Sequence, residues 1–197
     1  MSNQEIHDAA KNGDISRLTS LIHTTDSLDV AGQFRRTPLH WAAFSGHDDA
    51  VQVLINAKAS VNIEDIRGST PLLDAAETCQ GGTLQMLVNA KASIDVQSGS
   101  GRSLLHVVAG RGLDDAVQVL IDAKASLDAK DRSGWTPMHR AAQCGHRDAA
   151  QVLVDAKARV DIQDCSGLTP LHHAAAYGHI NVVCVLASGA KHLGEAK

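Results

Sequence analysis

The sequence predicts an all-α fold, a solenoid of six stacked helix-turn-helix units joined by β-hairpin fingers, and three observations predict it. The first is a period. Thr37, Thr70, Ser103, Thr136 and Thr169 recur every 33 residues, and the apolar residues behind them stay in register; a sustained period of this length marks a repeat array in which each unit buries its neighbour. The second is composition: 44% of residues are hydrophobic but only 3% are aromatic. The core is therefore aliphatic and alanine-rich, which suits closely packed helices better than a sheet sandwich. The third is a start signal. "TPLHWAAFSGH", "TPMHRAAQCGH" and "TPLHHAAAYGH" each put Pro directly after Thr, and a hydroxyl at the N-cap followed by Pro at the first helical position opens a helix without wasting an amide.

The elements follow from this frame in chain order. Ile6, His7, Ala9 and Ala10 stand one period before Leu39, His40, Ala42 and Ala43, and Leu18 and Leu21 one period before Val51 and Leu54. A first unit therefore precedes the first Thr-Pro. One domain over 1–197 is expected, with an N-terminal capping unit at 1–31, full units at 32–64, 65–97, 98–130 and 131–163, and a capping unit at 164–197. The last is expected to be shortened, because the chain after Leu186 drops a residue relative to "LVDAKARVD". Within a unit the first helix runs through paired alanines, and Gly46, Gly112, Gly145 or Gly178 ends it with a turn. The second helix starts on acids, as in "DDAVQVLI" at 48–55 and again at 114–121, where carboxylates meet the positive end of the helix dipole. Between units, "EDIRGST", "KDRSGWT" and "QDCSGLT" place Gly two residues before Thr, as a projecting turn requires. Three departures stand out: Arg35 replaces that turn Gly, "TCQGGT" displaces the interhelical glycines, and "SLLH" lacks the Pro.

A 33-residue period carrying TPLH resembles the ankyrin repeat family over nearly the whole chain. The resemblance implies that His40, His106, His139 and His172 are motif histidines with structural hydrogen bonds. It also shows a regular departure: Lys58, Lys91, Lys124 and Lys157 stand where the family usually ends its second helix with Gly. Lysine there carries a left-handed backbone penalty of about 1 kcal/mol, while its charge suits the helix C-terminus. These four lysines are expected to form a ladder along one edge.

No chemistry is expected of this chain. The remaining histidines of the frame, His47, His146 and His179, belong to the Gly-His turns, and none has a nucleophile or carboxylate at a motif spacing. Neither catalytic residues nor a cofactor nor a metal site are expected. Cys79, Cys144, Cys165 and Cys184 lack CxxC spacing and read as free thiols. No apolar stretch approaches the length of a membrane span, and the N-terminus does not read as a signal peptide. The formal charge of -4 gives no global case for nucleic acid or membrane. A cytoplasmic or nuclear monomer is expected.

In the ankyrin family partners commonly meet the concave surface made by finger tips and the exposed side of each first helix. On this chain the resemblance carries that surface to the residues before each Thr and those flanking the alanine pairs. All five aromatic residues map there: Phe34 and Trp135 in fingers, and Trp41, Phe44 and Tyr177 beside the alanines. Leu168 holds the place of Trp135 in the last finger. Of ten arginines, seven map to the same surface, namely Arg35, Arg36, Arg67, Arg102, Arg111, Arg132 and Arg140. Aromatics and Arg are enriched at interface cores. The expectation is a protein-binding scaffold whose partner presents an acidic, partly apolar segment, met by bidentate Arg contacts around aromatic anchors. Nucleic-acid binding by the same Arg and aromatic side chains is the alternative, against which the net charge argues.

Overall fold

A computed structural model describes residues 3–25, 27–98 and 100–194. They form twelve α-helices and no strand, divided between two compact units, Met1–Gly99 and Ser100–Lys197. The first holds α1 (Asn3–Asn12), α2 (Ile15–Ile22), α3 (Pro38–Ser45), α4 (Asp48–Asn56), α5 (Pro71–Glu77) and α6 (Gly81–Asn89). The second holds α7 (Leu104–Arg111), α8 (Asp114–Asp122), α9 (Pro137–Cys144), α10 (Arg147–Asp155), α11 (Pro170–Ala176) and α12 (Ile180–Gly194).

The helices pack as two layers in each unit, first helices against first and second against second. In one unit α1 meets α3 and α3 meets α5, while α2 meets α4 and α4 meets α6; in the other α7, α9 and α11 form one row and α8, α10 and α12 the other. The alanine pairs Ala42–Ala43 and Ala141–Ala142 are fully buried, so the helix backbones can approach closely. Leucines at 39, 54, 72, 87, 105 and 120 fill the space between layers with at most 1% exposure. Each contributes roughly 1.5–3 kcal/mol relative to an exposed side chain.

Each first helix from α3 onward opens on the expected Thr or Ser. At Thr37, Ser103, Thr136 and Thr169 the backbone N–H donates to Nδ1 of the histidine three residues on, at 3.1–3.2 Å, closing a capping box with His in place of the usual Glu. Gly46, Gly112 and Gly145 end their helices in the left-handed region. Between α5 and α6, Cys79 takes that conformation instead, at φ 62°. Lys58, Lys91, Lys124 and Lys157 all lie at φ 65–70°, so the family's left-handed helix end is kept without its Gly. Lys124→Gly is therefore expected to raise unfolding free energy by a few tenths to about 1 kcal/mol, the strain relieved being partly offset by the freer unfolded chain. A urea midpoint that falls instead would contradict this.

The fingers carry no strand among the described residues, only bridge residues at Gln97 and Ser103. They are tight turns in which Asp65, Asp131 and Asp164 each donate their N–H to the carbonyl four residues on, and each accepts at its own carbonyl from the Gly three residues on. Neighbouring fingers are nevertheless tied by single backbone bonds, Ile66 N–H to Phe34 O and Cys165 N–H to Ser133 O, both 3.0 Å. Contrary to expectation, the last unit is not shortened in its helix. α12 runs 15 residues against nine for α4, α8 and α10, because Ala190 stands where the other units place their left-handed lysine.

Candidate partner-binding face

The finger turns are built on one device. The Asp65 Oδ1 accepts from the N–H groups of Arg67 (2.7 Å) and Ser69 (3.0 Å), the Asp131 Oδ1 from Ser133 (2.9 Å) and Trp135 (3.0 Å), and the Asp164 Oδ1 from Ser166 (2.8 Å) and Leu168 (3.0 Å). That leaves the second oxygen of each carboxylate facing a cationic or ionisable side chain. Arg36 Nε lies 3.3 Å from Asp65 Oδ2, Arg140 Nη2 2.6 Å from Asp131 Oδ2, and His173 Nε2 2.9 Å from Asp164 Oδ2. Burial opposes the charge on all three acids, but it is outweighed by these bonds, and the carboxyls are held below their ordinary value, that of Asp164 at about 2.

This device removes residues from the expected binding face. Arg36 is corrected outright: it is 5% exposed, shared between Asp65 and Asp74 (Nη2 to Asp74 Oδ1, 3.0 Å), with its guanidinium carbon about 5 Å from the ring centroids of Trp41 and Phe44. It is a buried structural ion held by two acids of the chain. Arg140 is largely consumed in the same way by Asp131. Trp135 is only half exposed, with its ring 4.4 Å from His173 and 4.3 Å from the Arg140 guanidinium carbon. Trp41 is likewise half-buried, between Lys11 and Arg36. The side chains left open are Phe34, Phe44, Leu168 and Tyr177, each 38–58% exposed, together with Arg67, Arg102, Arg111 and Arg132. Of these arginines only Arg102 approaches an acid among the described residues, at 4.0 Å from Asp131.

Phe34 has a second distinction. It lies at φ 61° and Arg35 at φ 59°, so a bulky side chain is held in a left-handed conformation that such residues rarely adopt, at a finger tip where it packs little. Ile66, on the next finger, is 56% exposed and was not singled out by sequence reasoning, nor were Asp65, Asp131 and Asp164. A signal for the acids existed in the Asp five residues before Thr in all three quoted finger strings.

The motif histidines are structural where a following finger covers them. Nε2 of His40, His106 and His139 reaches the carbonyl just before the next Thr or Ser register position, that of Ser69, Trp135 and Leu168, at 2.8–3.2 Å. Since Nδ1 accepts from the capped amide, Nε2 must carry the proton, and the ring is neutral. Burial lowers the pKa of all three in agreement. His172 makes the expected structural bond to Thr169, but its ring is exposed. His139, Asp164 and His173 bring potential ligand atoms within 4.8 Å of one another. Both nitrogens of His139 are already committed, one to the cap and one to the Leu168 carbonyl, so a metal there would have to break the bond between two repeats. The four cysteines are free and exposed. No helix among the described residues is long and apolar enough to cross a membrane.

The family profile described as ankyrin repeats (3 copies) matches residues 6–98, 79–164 and 105–194. The chain belongs to the ankyrin repeat family. Ankyrin repeats are generally protein–protein interaction modules, and the fold is typically a non-enzymatic binding scaffold. Among solved structures, an ankyrin repeat domain (ABAYE2397) from Acinetobacter baumannii AYE is 26% identical with TM-score 0.85, covering 94% of this chain and 97% of its own. The human ASB11 ankyrin repeat domain is 25% identical with TM-score 0.84, covering 93% and 82%. A chain in the complex of the predatory endopeptidase Bd0816 from Bdellovibrio bacteriovorus with immunity protein Bd3460 shares the fold at 22% identity and TM-score 0.85, covering 95% and 99%. A search of curated proteins finds no match.

Proposed function

We propose that this chain is a non-enzymatic scaffold of six ankyrin repeats that binds a partner polypeptide through its fingers and first helices, and that the segment it binds is acidic and partly apolar. The pairing of twelve helices within the intervals 1–31, 32–64, 65–97, 98–130, 131–163 and 164–197 supports the repeat count. The observation that carries the binding face is Phe34, an exposed aromatic held at positive φ where Gly would be easier. Unlike the left-handed lysines, which end helices, Phe34 pairs this conformation with an exposed aromatic ring at a finger tip, which suits a residue kept for contact. Arg67, Arg102 and Arg132 on the fingers and Arg111 at the end of α7 supply the cations for an acidic segment.

Phe34 also supplies the test, because fold and binding separate there. Phe34→Gly should leave stability unchanged or slightly higher, since Gly accepts φ 61° freely. It should weaken binding of the captured partner about tenfold, the loss of a modest aromatic anchor. Arg132→Glu should slow association and reduce its salt dependence. Mass spectrometry of proteins retained by wild type and the two variants checks both. A partner retained equally by all three would overturn the reading.

A further inference from the structure

The Met1–Gly99 unit contains a cavity of about 410 Å³ lined by Arg36, Arg67, Ser69, Leu73, Asp74 and Glu77, among others. Asp74 is 1% exposed. Its Oδ1 accepts from Arg36 Nη2 at 3.0 Å and Ser69 Oγ at 2.8 Å, whereas its Oδ2, equally buried, has no hydrogen-bond partner. A buried carboxylate oxygen without a donor is costly, and the Asp74 side chain that carries it is one of those lining the cavity. We propose that this cavity is a site for a basic side chain of a polypeptide, an arginine guanidinium above all, whose N–H groups complete Asp74 and meet Glu77.

Charge bookkeeping favours a cation over the anion that the arginines of this face would otherwise suggest. Arg36 is the one cation in contact with both Asp65 and Asp74, and it is covered by the rings of Trp41 and Phe44. Its charge is already matched by two acids of the chain itself. Glu77, on the next turn of α5, adds a third acid, and Arg67 is the only other cation in the lining. Burial accordingly pushes Asp74 up to about 6 in spite of Arg36. Guanidinium is preferred to ammonium because its planar fork can address two acceptors at once. The site rests on the finger and first-helix face being the recognition surface, but not on the partner being acidic overall.

The test uses the full chain and a minimal probe, N-acetyl-Gly-Arg-Gly-amide, with its citrulline counterpart as the uncharged control. Titration followed by NMR should give saturable shifts centred on Ser69, Leu73 and Asp74 at millimolar probe, at least tenfold weaker with citrulline and in Asp74→Asn. Glu77→Gln, at an exposed position that leaves the fold intact, should weaken binding several-fold. Affinity should rise from pH 5 to pH 7 as Asp74 loses its proton among Arg36, Asp65, Arg67 and Glu77. Equal response to citrulline, shifts centred elsewhere, or no response to the arginine probe would overturn the site while leaving the partner reading to the Phe34 experiment. Should Asp74→Asn fail to fold, a pH-independent affinity in wild type would be equally decisive against it.

Discussion

Arg36→Ala should lower unfolding free energy by about 3–5 kcal/mol at pH 7.5, the cost of stranding buried acids without their cation. The side chain is 6% exposed and its two partners, Asp65 and Asp74, 0% and 1%. The loss is pH-dependent, and the sign follows from Asp74, whose carboxyl stands at about 6 in the folded protein against an ordinary 3.8. Between those values the native state binds the proton more tightly than the unfolded chain. The contribution of Asp74 is therefore full below about 3.8 and is lost as pH rises through about 6. In the variant a protonated Asp74 needs no cation, so the deficit should shrink toward pH 5. Asp65, held below its ordinary value by the Ser69 and Arg67 amides and Arg36 against the pull of burial, stays charged at pH 5 and keeps some of the deficit. Urea unfolding at the two pH values measures it; a deficit under about 1 kcal/mol, or one equal at both, would contradict the buried-triad account.

The second large effect is expected at His139. Its ring is fully buried, accepts from the Thr136 N–H, and donates to the Leu168 carbonyl in the next finger. His139→Ala removes both bonds and leaves a void, for about 2–3 kcal/mol. His172→Ala is the control. That ring is exposed, and the change should cost about 0.5 kcal/mol or less beyond its cap. Burial lowers the His139 pKa, so below the ordinary 6.5 the unfolded chain takes up the proton that the folded ring resists. Its contribution is present at neutral pH and fades as pH falls, and the gap between wild type and His139→Ala should narrow from pH 7.5 to pH 5. Equal losses at His139 and His172 would mean that the repeat-to-repeat bond contributes nothing.

Much of the fold is legible in the sequence because its signals are local or strictly periodic. Thr-Pro, the alanine pair, the Gly turns and the acid-led second helix each lie within a few residues of what they control, and the structure places helices accordingly. The left-handed lysines are legible for the same reason, by register alone. The fingers are less so, since whether a Gly-containing turn extends into a strand ladder depends on bonds beyond the turn itself. The candidate face is the least legible. Composition marks Arg36, Arg67 and Arg132 alike, yet Arg36 is sequestered by acids 29 and 38 residues away, whereas no acid of the described residues pairs with the other two. In two repeats the residue after the motif histidine makes the pairing: Arg140 and His173 serve the Asp of their own finger, nine residues back. Where Leu73 takes the histidine's place the next residue is Asp74, an acid beside the finger acid Asp65, and the cation comes from Arg36, one finger earlier.

That borrowed cation bears on how the chain can be cut and rejoined. Where Arg140 answers Asp131 and His173 answers Asp164, a 33-residue segment carries its own counter-ion and can be transplanted, duplicated or deleted with its electrostatics intact. The third segment cannot. Excised alone it takes two buried carboxylates into a host that lacks Arg36, and deleting the second segment strands them in place. To keep these buried charges matched, a segment carrying Asp65 and Asp74 has to travel with Arg36 from the segment before it.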